Sequence, residues 1–142
     1  MAKDSFKRML DRIHGVAALT LGAALTTTLA WAGPTPAPVR AEINALMARL
    51  ESSGCQFNRN GDWYTGTEAK AHLLKKLDAA ERQTTVAKTE QFIELAATRS
   101  SMSGQDYQVK CGPAAAVSSA IWLGAQLQIL RSSPASAVSS PR

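Results

Sequence analysis

The chain has 142 residues, of which 45% are apolar and 19% are charged, and its formal net charge is +5. This length corresponds to a single domain, and the apolar fraction is too high for a wholly disordered protein. A dedicated nucleic-acid-binding domain normally shows a clustered basic face, whereas residues 33–142 carry only twelve basic against nine acidic residues. Composition therefore excludes a multidomain enzyme and argues against a nucleic-acid partner.

The first 32 residues have the organisation of a secretory signal peptide. Four basic residues lie within residues 1–15, an uncharged run of fifteen residues follows over 16–30, and Ala30-Trp31-Ala32 matches an A-x-A cleavage site. The alternative is a retained membrane anchor, but a bilayer span needs about 20 apolar residues. We therefore expect cleavage after Ala32, no stable membrane span afterwards, and a periplasmic or secreted mature protein.

Export changes the interpretation of the two cysteines. Cys55 and Cys111 are the only cysteines in the chain, and exported compartments oxidise thiols. We expect a disulfide between them, the alternative being two free buried thiols. Because the bridge would consume both thiolates and His72 is the only histidine after residue 32, a zinc site of cysteine and histidine cannot be assembled. We expect no metal and no cofactor.

A proline-rich linker, residues 33–38, is predicted to precede a folded domain over residues 39–131. The domain opens with a helix, because apolar residues recur at i, i+4, i+7, i+8 and i+11 along one face. This stripe comprises Val39, Ile43, Leu46, Met47 and Leu50. Ser52-Ser53-Gly54 then ends the helix, with glycine at the C-terminal cap.

A β-hairpin and a second helix are predicted next. Asn60-Gly61 separates the short runs 55–59 and 62–65, and Asn-Gly in such a position is the strongest short-range hairpin signal. Thr65-Gly-Thr-Glu68 matches a capping box, which predicts a helix over residues 66–81. The apolar stripe of this helix comprises Ala69, Leu73, Leu77 and Ala80.

The rest of the chain predicts two more helices and one strand. A short third helix is capped by Thr89 and ends before the hydroxyl-rich loop 100–104. Residues 107–111 alternate apolar and polar side chains, as a strand does. The last helix begins at Pro113 or at Ser119 and runs to residue 131, and residues 132–142, rich in Ser, Pro and Ala, are predicted to form a disordered tail.

Together these elements predict an α+β fold in one small domain. About four helices pack on a short, mostly antiparallel three-stranded sheet, in the order α-β-β-α-α-β-α. A bridge between Cys55 and Cys111 would place the last strand beside the hairpin.

Several motifs resemble the pattern of YfeK-like proteins, a family of small exported bacterial proteins with a domain of unknown function. The motif residues are Phe57-x-Arg59-Asn60-Gly61, Tyr64, Ala69-x-x-His72-Leu73-x-x-Lys76, Phe92-Ile93 and Ser100-Ser101-x-Ser103-Gly104-x-x-Tyr107-x-Val109. The resemblance covers residues 42–130. It implies export and a single compact domain, and it supplies no activity, ligand or catalytic residue.

His72 and Lys76 form the first candidate binding site. On a helical wheel Lys76 points towards the apolar stripe of the second helix, and His72 lies at the margin of that stripe. A lysine at a core-facing position needs a hydrogen-bond partner or a path to water. The pattern therefore leaves two interpretations, a polar pocket lined by His72 and Lys76 or a lysine that reaches solvent along the helix margin.

The serine loop is the second candidate. Ser100, Ser101 and Ser103 place three hydroxyls beside the backbone amides around Gly104, and such a turn can bind an anion or a carbonyl. A serine next to His72 could also act as a nucleophile, but the setting is not G-x-S-x-G. The structural alternative is that these serines end the third helix and satisfy loop backbone.

Arg59 and Asn60, at the predicted hairpin turn, are the third candidate. The Arg59 guanidinium could bind a carboxylate or a phosphate, or it could pair with Asp62 across the turn. Tyr107 completes the candidate binding residues: with Trp63 and Tyr64 it could form an aromatic ligand surface, the alternative being packing in the core. We expect His72, Lys76 and the serine loop to meet in space, with Arg59 or Tyr107 nearby.

The sequence contains no recognisable set of catalytic residues, so we assign none. The favoured function is a non-enzymatic binding or interaction module with an envelope ligand or a periplasmic protein as its partner. One alternative is an inhibitor of an envelope hydrolase, which would present a rigid protruding loop. Another is a small hydrolase, which would need a serine oxygen near a ring nitrogen of His72.

Overall fold

The computed structural model describes residues 32–133. The predicted signal peptide up to residue 31 and the predicted tail from residue 134 lie outside the described residues. Within the described part the fold is α+β, with four helices and a four-stranded antiparallel sheet. The helices are α1 (Ala37–Ser52), α2 (Gly66–Glu81), α3 (Thr89–Phe92, continued by a π-helical turn Ile93–Ala97) and α4 (Ser119–Ser132). The strands are β1 (Gln56–Arg59), β2 (Asp62–Tyr64), β3 (Gln108–Lys110) and β4 (Val117–Ser118).

The sheet has the order β2-β1-β3-β4, so β1 pairs with its hairpin partner β2 on one side and with the distant β3 on the other. Phe57 stands opposite Tyr64 in β2 and opposite Val109 in β3. Phe57 and Val109 are buried in the helical core, whereas Gln108 on the opposite face is exposed. One face of the sheet is therefore covered by the core.

The predicted apolar stripe of α1 forms the centre of the core. Ile43, Leu46, Met47 and Leu50 are fully buried, and they pack with the largest buried side chains of the other helices and of the connection between α2 and α3. Those side chains are Leu77, Val86, Phe92, Leu123 and Leu127. α1 therefore lies between α2 and α4.

The sheet has one strand more than predicted. The fourth strand, β4, is only two residues long and pairs with β3 immediately before α4. Two residues cannot display an alternating pattern, so the sequence contains no signal for β4. The prediction of three strands was therefore wrong. β4 also decides between the two predicted starts of the last helix, because α4 begins at Ser119.

Two helix starts differ from the sequence-based expectation. α1 begins at Ala37, inside the segment 33–38 that was predicted to be a linker, and the buried Thr35 before it donates its backbone N–H to Glu81 at 2.9 Å. α3 has Lys88 at its N-cap position. The Thr89 hydroxyl was expected to cap this helix and instead hydrogen-bonds the carboxylate of Glu42 in α1. The hydroxyl thus donates to a distant carboxylate instead of accepting from a backbone N–H of its own helix.

Other local predictions are confirmed. The capping box of α2 is present, with Thr65 and Glu68 bonded reciprocally. In the hairpin turn Asn60 has φ 56° and Gly61 has φ 95°, the left-handed backbone that a tight two-residue hairpin requires. A disulfide joins Cys55 and Cys111, whose Cα atoms are 4.2 Å apart. It links the end of α1 to the end of β3.

Candidate functional site

Four polar side chains form a continuous hydrogen-bonded chain between the sheet and α2. Arg59, the last residue of β1, donates from Nη2 to the Tyr64 hydroxyl at 3.1 Å. Its Nη1 lies 2.7 Å from Nδ1 of His72, which is in the second turn of α2. Nε2 of His72 lies 3.1 Å from the hydroxyl of Tyr107, just before β3. Each residue comes from a different element, so the fold itself assembles this chain.

The direction of these hydrogen bonds follows from the chemistry of Arg59. A guanidinium only donates and stays protonated, so Nδ1 of His72 must be the acceptor. The proton of the neutral imidazole is then on Nε2, and that N–H donates to the Tyr107 hydroxyl. Both nitrogens of His72 are engaged, and neither partner is a serine.

The surroundings of His72 keep its ring neutral. Burial lowers the pKa of His72 below its usual 6.5, and the positive charges of Arg59, Lys76 and Lys75 lower it further. Burial also raises the pKa of Tyr107, against the opposing effects of Arg59 and a hydrogen bond with Ser100. At neutral pH both His72 and Tyr107 are therefore uncharged. Among the four hydrogen-bonded side chains only Arg59 is charged.

Arg59 has no carboxylate partner among residues 32–133. Asp62 stands opposite it in the hairpin register, but the guanidinium turns towards His72 and Tyr64, and the ion pairs of the described residues do not include Arg59. The guanidinium also lies 4.6 Å from the centroid of the Tyr64 ring. Two of its five N–H donors are used, so a half-buried cation retains free hydrogen-bonding capacity.

The four hydrogen-bonded side chains line a pocket of about 300 Å³ between α2 and the sheet. Apolar and aromatic side chains form much of the wall, with Arg59 and His72 among them. The walls comprise Phe57, Asn58, Arg59, Tyr64, Glu68, Ala69, Ala71, His72, Leu73, Lys75, Tyr107 and Ser119. Glu68, the acid at this pocket, accepts hydrogen bonds from the backbone N–H and the hydroxyl of Thr65, which lower its pKa. The pocket therefore combines an apolar wall with two cations, Arg59 and Lys75, and one carboxylate.

Lys76 lies on the other side of Tyr107, outside this pocket. Its ammonium donates to the backbone carbonyl of Arg99 at 2.7 Å and lies 5.0 Å from the centroid of the Tyr107 ring. Burial lowers the pKa of Lys76. With Ser101, Lys76 borders a second, smaller pocket of about 200 Å³. The structure thus places Lys76 beside the start of the serine loop, where its acceptor is a carbonyl.

The serine loop is braced by its own backbone and by the hairpin. The N–H of Gly104 donates to the carbonyl of Ser100 at 2.9 Å, and the Ser100 hydroxyl accepts from two backbone amides of the loop. The Ser103 hydroxyl donates to Oδ1 of Asn60 at 2.6 Å. Met102 at the tip is 98% exposed. These hydrogen bonds hold the loop together, and the bond between Ser103 and Asn60 joins it to the hairpin turn.

The site contains residues that the sequence-based candidate set lacked. Tyr64 accepts a hydrogen bond from the Arg59 guanidinium, and Lys75 and Ser119 border the pocket. Tyr64 was predicted only as part of the hairpin motif and of a possible aromatic surface with Trp63 and Tyr107. Ser119 is brought in by the long connection from β3 to α4, which no local pattern predicts. Among residues 32–133 no group of His, Cys, Asp or Glu is placed to hold a metal ion, and no helix there is long and apolar enough to cross a bilayer.

Comparison with known proteins identifies the family. Residues 37–131, almost the whole described domain, match a family of unknown function (DUF5329). The chain is 39% identical over 86 residues to the "Uncharacterized protein YfeK" of Salmonella typhimurium, an alignment that covers 60% of this chain and 69% of the relative. No solved structure matches the chain. The hairpin, the α2 motif and the serine loop that build the site all lie inside the matched region, and the chain belongs to this YfeK-like family of unknown function.

Proposed function

We propose that this protein is a non-enzymatic binding module whose pocket between α2 and the sheet takes a small organic ligand bearing a carboxylate. The observation that carries the proposal is the half-buried guanidinium of Arg59, which has neutral partners and no acid among residues 32–133. A planar guanidinium matches a carboxylate by paired hydrogen bonds. Lys75 adds a second positive charge at the same pocket.

The walls define the rest of the ligand. Phe57, Leu73 and Tyr64 offer apolar surface, so the carboxylate should be attached to an apolar or aromatic body. A volume of about 300 Å³ is at the lower end of ligand pockets, which restricts the ligand to a small molecule or the end of a longer one. Burial lowers the pKa of His72, so the ring between Arg59 and Tyr107 is neutral and Arg59 is the cation that lies against the sheet side of the pocket.

Binding of matched acids and amides tests this function. The probes are benzoate and 3-phenylpropionate against benzamide and 3-phenylpropionamide, measured by chemical-shift perturbation in NMR. A hydrogen bond to a charged group contributes about 1.5–3 kcal/mol, so Arg59→Met should weaken acid binding by roughly 10- to 100-fold. The exposed Arg82, at the C-terminal end of α2, provides the matched control Arg82→Met. Equal binding of acids and amides, or equal effects of the two variants, would refute the proposal.

Export is part of the same proposal. Its support is the arrangement of basic residues, apolar run and A-x-A motif in residues 1–32, together with the disulfide of Cys55 and Cys111. Fractionation followed by N-terminal sequencing tests it: we expect mature protein in the periplasm or medium beginning at Gly33. Protein that stays in the cytoplasm and begins at Met1 would overturn the localisation without affecting the pocket.

A second candidate function, inhibition of an envelope hydrolase, is supported by one observation, the braced serine loop with Met102 fully presented at its tip. Such a loop could enter the cleft of an enzyme without becoming ordered first. Substitution Met102→Asp would abolish this function and leave carboxylate binding intact. The third candidate, a Ser/His hydrolase, lacks such support because His72 bonds Arg59 and Tyr107.

A further inference from the structure

The pocket between α2 and the sheet holds charges of both signs. Arg59 and Lys75 are its cations, and Glu68 is the acid among the described residues that line it. Hydrogen bonds from Thr65 lower the pKa of Glu68, so this carboxylate is ionised at neutral pH. A ligand that carried a carboxylate alone would leave Glu68 beside it without an opposite charge. The charges of the pocket therefore specify a second group on the ligand.

Glu68 has an oxygen to offer that second group. Oε2 accepts from the backbone N–H of Thr65 at 2.8 Å and from the Thr65 hydroxyl at 2.8 Å. Both hydrogen bonds of the capping box therefore use the same oxygen, which leaves Oε1 available to a donor from outside the protein. Since Glu68 is exposed at the edge of the pocket, such a donor can reach it from solvent.

The charges of the pocket have a definite order along α2. Glu68 is four residues before His72, and Lys75 is three residues after it. Residues at these spacings are neighbours on one side of a helix, with Cβ atoms about 5–6 Å apart. The guanidinium of Arg59 lies against His72 from the sheet. The pocket therefore runs from a negative end at Glu68, past Arg59, to a positive end at Lys75.

This order matches the two charged groups of a free α-amino acid, which are attached to one carbon atom. A carboxylate on Arg59 sets the neighbouring ammonium on the side of Glu68, about one helical turn away. The reverse orientation would place the ammonium beside two cations and the carboxylate beside Glu68. The C-terminal end of a peptide has an amide where the free amino acid has its ammonium, so it matches the negative end of the pocket less well.

We infer that the ligand of this pocket is a free α-amino acid with an apolar or aromatic side chain, whose carboxylate binds Arg59 and whose ammonium binds Glu68. The inference rests on the proposed function, because it uses the same contact between Arg59 and a carboxylate. The side chain of the amino acid lies against the apolar wall that includes Phe57 and Leu73.

Three probes separate the groups of the ligand. Phenylalanine carries both charges, 3-phenylpropionate lacks the ammonium, and 2-phenylethylamine lacks the carboxylate. Their dissociation constants are measured by NMR titration of the protein at neutral pH. An ion pair at a solvent-accessible position strengthens binding only modestly, so we expect phenylalanine to bind about three- to fivefold more tightly than 3-phenylpropionate. The amine should bind most weakly, because it lacks the group that Arg59 holds.

A charge-removing variant assigns the gain in affinity to Glu68. Glu68→Gln keeps the capping box, because glutamine at this position makes the same hydrogen bond to the N-cap backbone. It should reduce the affinity for phenylalanine to that for 3-phenylpropionate, without weakening the binding of 3-phenylpropionate itself. Glu94→Gln, at an exposed position of α3, is the matched control and should change neither affinity.

The outcomes distinguish this inference from the proposed function. Equal binding of phenylalanine and 3-phenylpropionate, with both weakened by Arg59→Met, would overturn the inference and leave the proposed function standing. A preference for phenylalanine that survives Glu68→Gln would also overturn it. Binding of 3-phenylpropionate and phenylalanine that does not respond to Arg59→Met would refute the proposed function, and the inference with it.

Discussion

Nη1 of Arg59 lies 2.7 Å from Nδ1 of His72, so a permanent cation is in direct hydrogen-bond contact with a titratable ring. Protonation of His72 would break this bond, because an imidazolium has no acceptor. The protonation state of His72 therefore determines whether Arg59 keeps this hydrogen bond. Two predictions follow from the contact.

The first prediction concerns the pKa of His72. We expect a value below 6.5, with burial as the main cause and Arg59 as the largest of the charge effects. Arg59→Met should raise this pKa towards 6.5 without reaching it, because burial remains. The measurement is an NMR titration of the His72 ring, with Arg82→Met as the control. An unshifted pKa in the unmodified protein, or one that does not respond to Arg59→Met, would contradict the proposed contact.

The second prediction concerns stability against pH. The pKa of His72 is lower in the folded than in the unfolded chain, so below pH 6.5 the unfolded state takes up the proton first. The free energy of unfolding should therefore fall as the pH drops from 6.5 towards the folded pKa, and then level off. His72→Gln should flatten this slope whatever it does to the overall stability. Urea unfolding at closely spaced pH values measures the slope, and an equal slope in both proteins would disprove the assignment.

The third prediction concerns the disulfide. The bridge between Cys55 and Cys111 closes a loop of 57 residues, and the loop-entropy relation assigns it about 4 kcal/mol of stability. Replacing both cysteines by alanine should lower the free energy of unfolding by about that amount. Adding a reductant should destabilise the unmodified protein and leave the double variant unchanged. A double variant as stable as the oxidised protein would show that the bridge contributes nothing.

The fourth prediction compares two helical glycines. A Cβ at Gly66 would lie 2.6 Å from the carbonyl oxygen of Leu50 and 2.9 Å from that of Glu51, so α1 and α2 would have to separate. Gly66→Ala should therefore destabilise the fold by about 1–3 kcal/mol. Gly124 in α4 has open space around it, and Gly124→Ala should stabilise by about 0.5–1 kcal/mol. Thermal unfolding of both variants in dilute solution measures the two changes in stability. Changes of the same sign would contradict the packing of α1 on α2.

Local signals predicted the parts of the fold that local interactions hold. The stripe of α1, the capping box of α2 and the Asn60-Gly61 turn each depend on residues only a few positions apart. Thr89 marks the limit of that approach. Its hydroxyl binds Glu42, 47 positions earlier in the chain, and no local pattern reports an acceptor that only tertiary packing supplies.

In the candidate site, too, the residues could be predicted from the sequence, but their contacts could not. Arg59, His72, Lys76 and Tyr107 were named from their chemistry, and the topology places them around one end of the sheet. Their pairings could not be predicted. Asp62 is the obvious partner of Arg59 in sequence, yet the Arg59 side chain shares its face of the sheet with α2, and the imidazole there is the partner it contacts.

The central position of β1 has a consequence for the order in which the molecule folds. β1 and β2 are joined by a tight turn and can pair as soon as they are made, whereas β3 begins only after a further 43 residues, 65–107. Strands that are distant in sequence pair slowly, because the chain loses the entropy of closing a long loop before any stabilising contact forms. The hairpin and α2 should therefore form as an early unit with one edge of β1 open. The oxidant of the compartment can join the thiols of Cys55 and Cys111 in this native pairing only once β3 docks. Until β3 docks, the open edge of β1 is a place where another strand could pair, and the appearance of the Cys55–Cys111 bridge would report that docking has taken place.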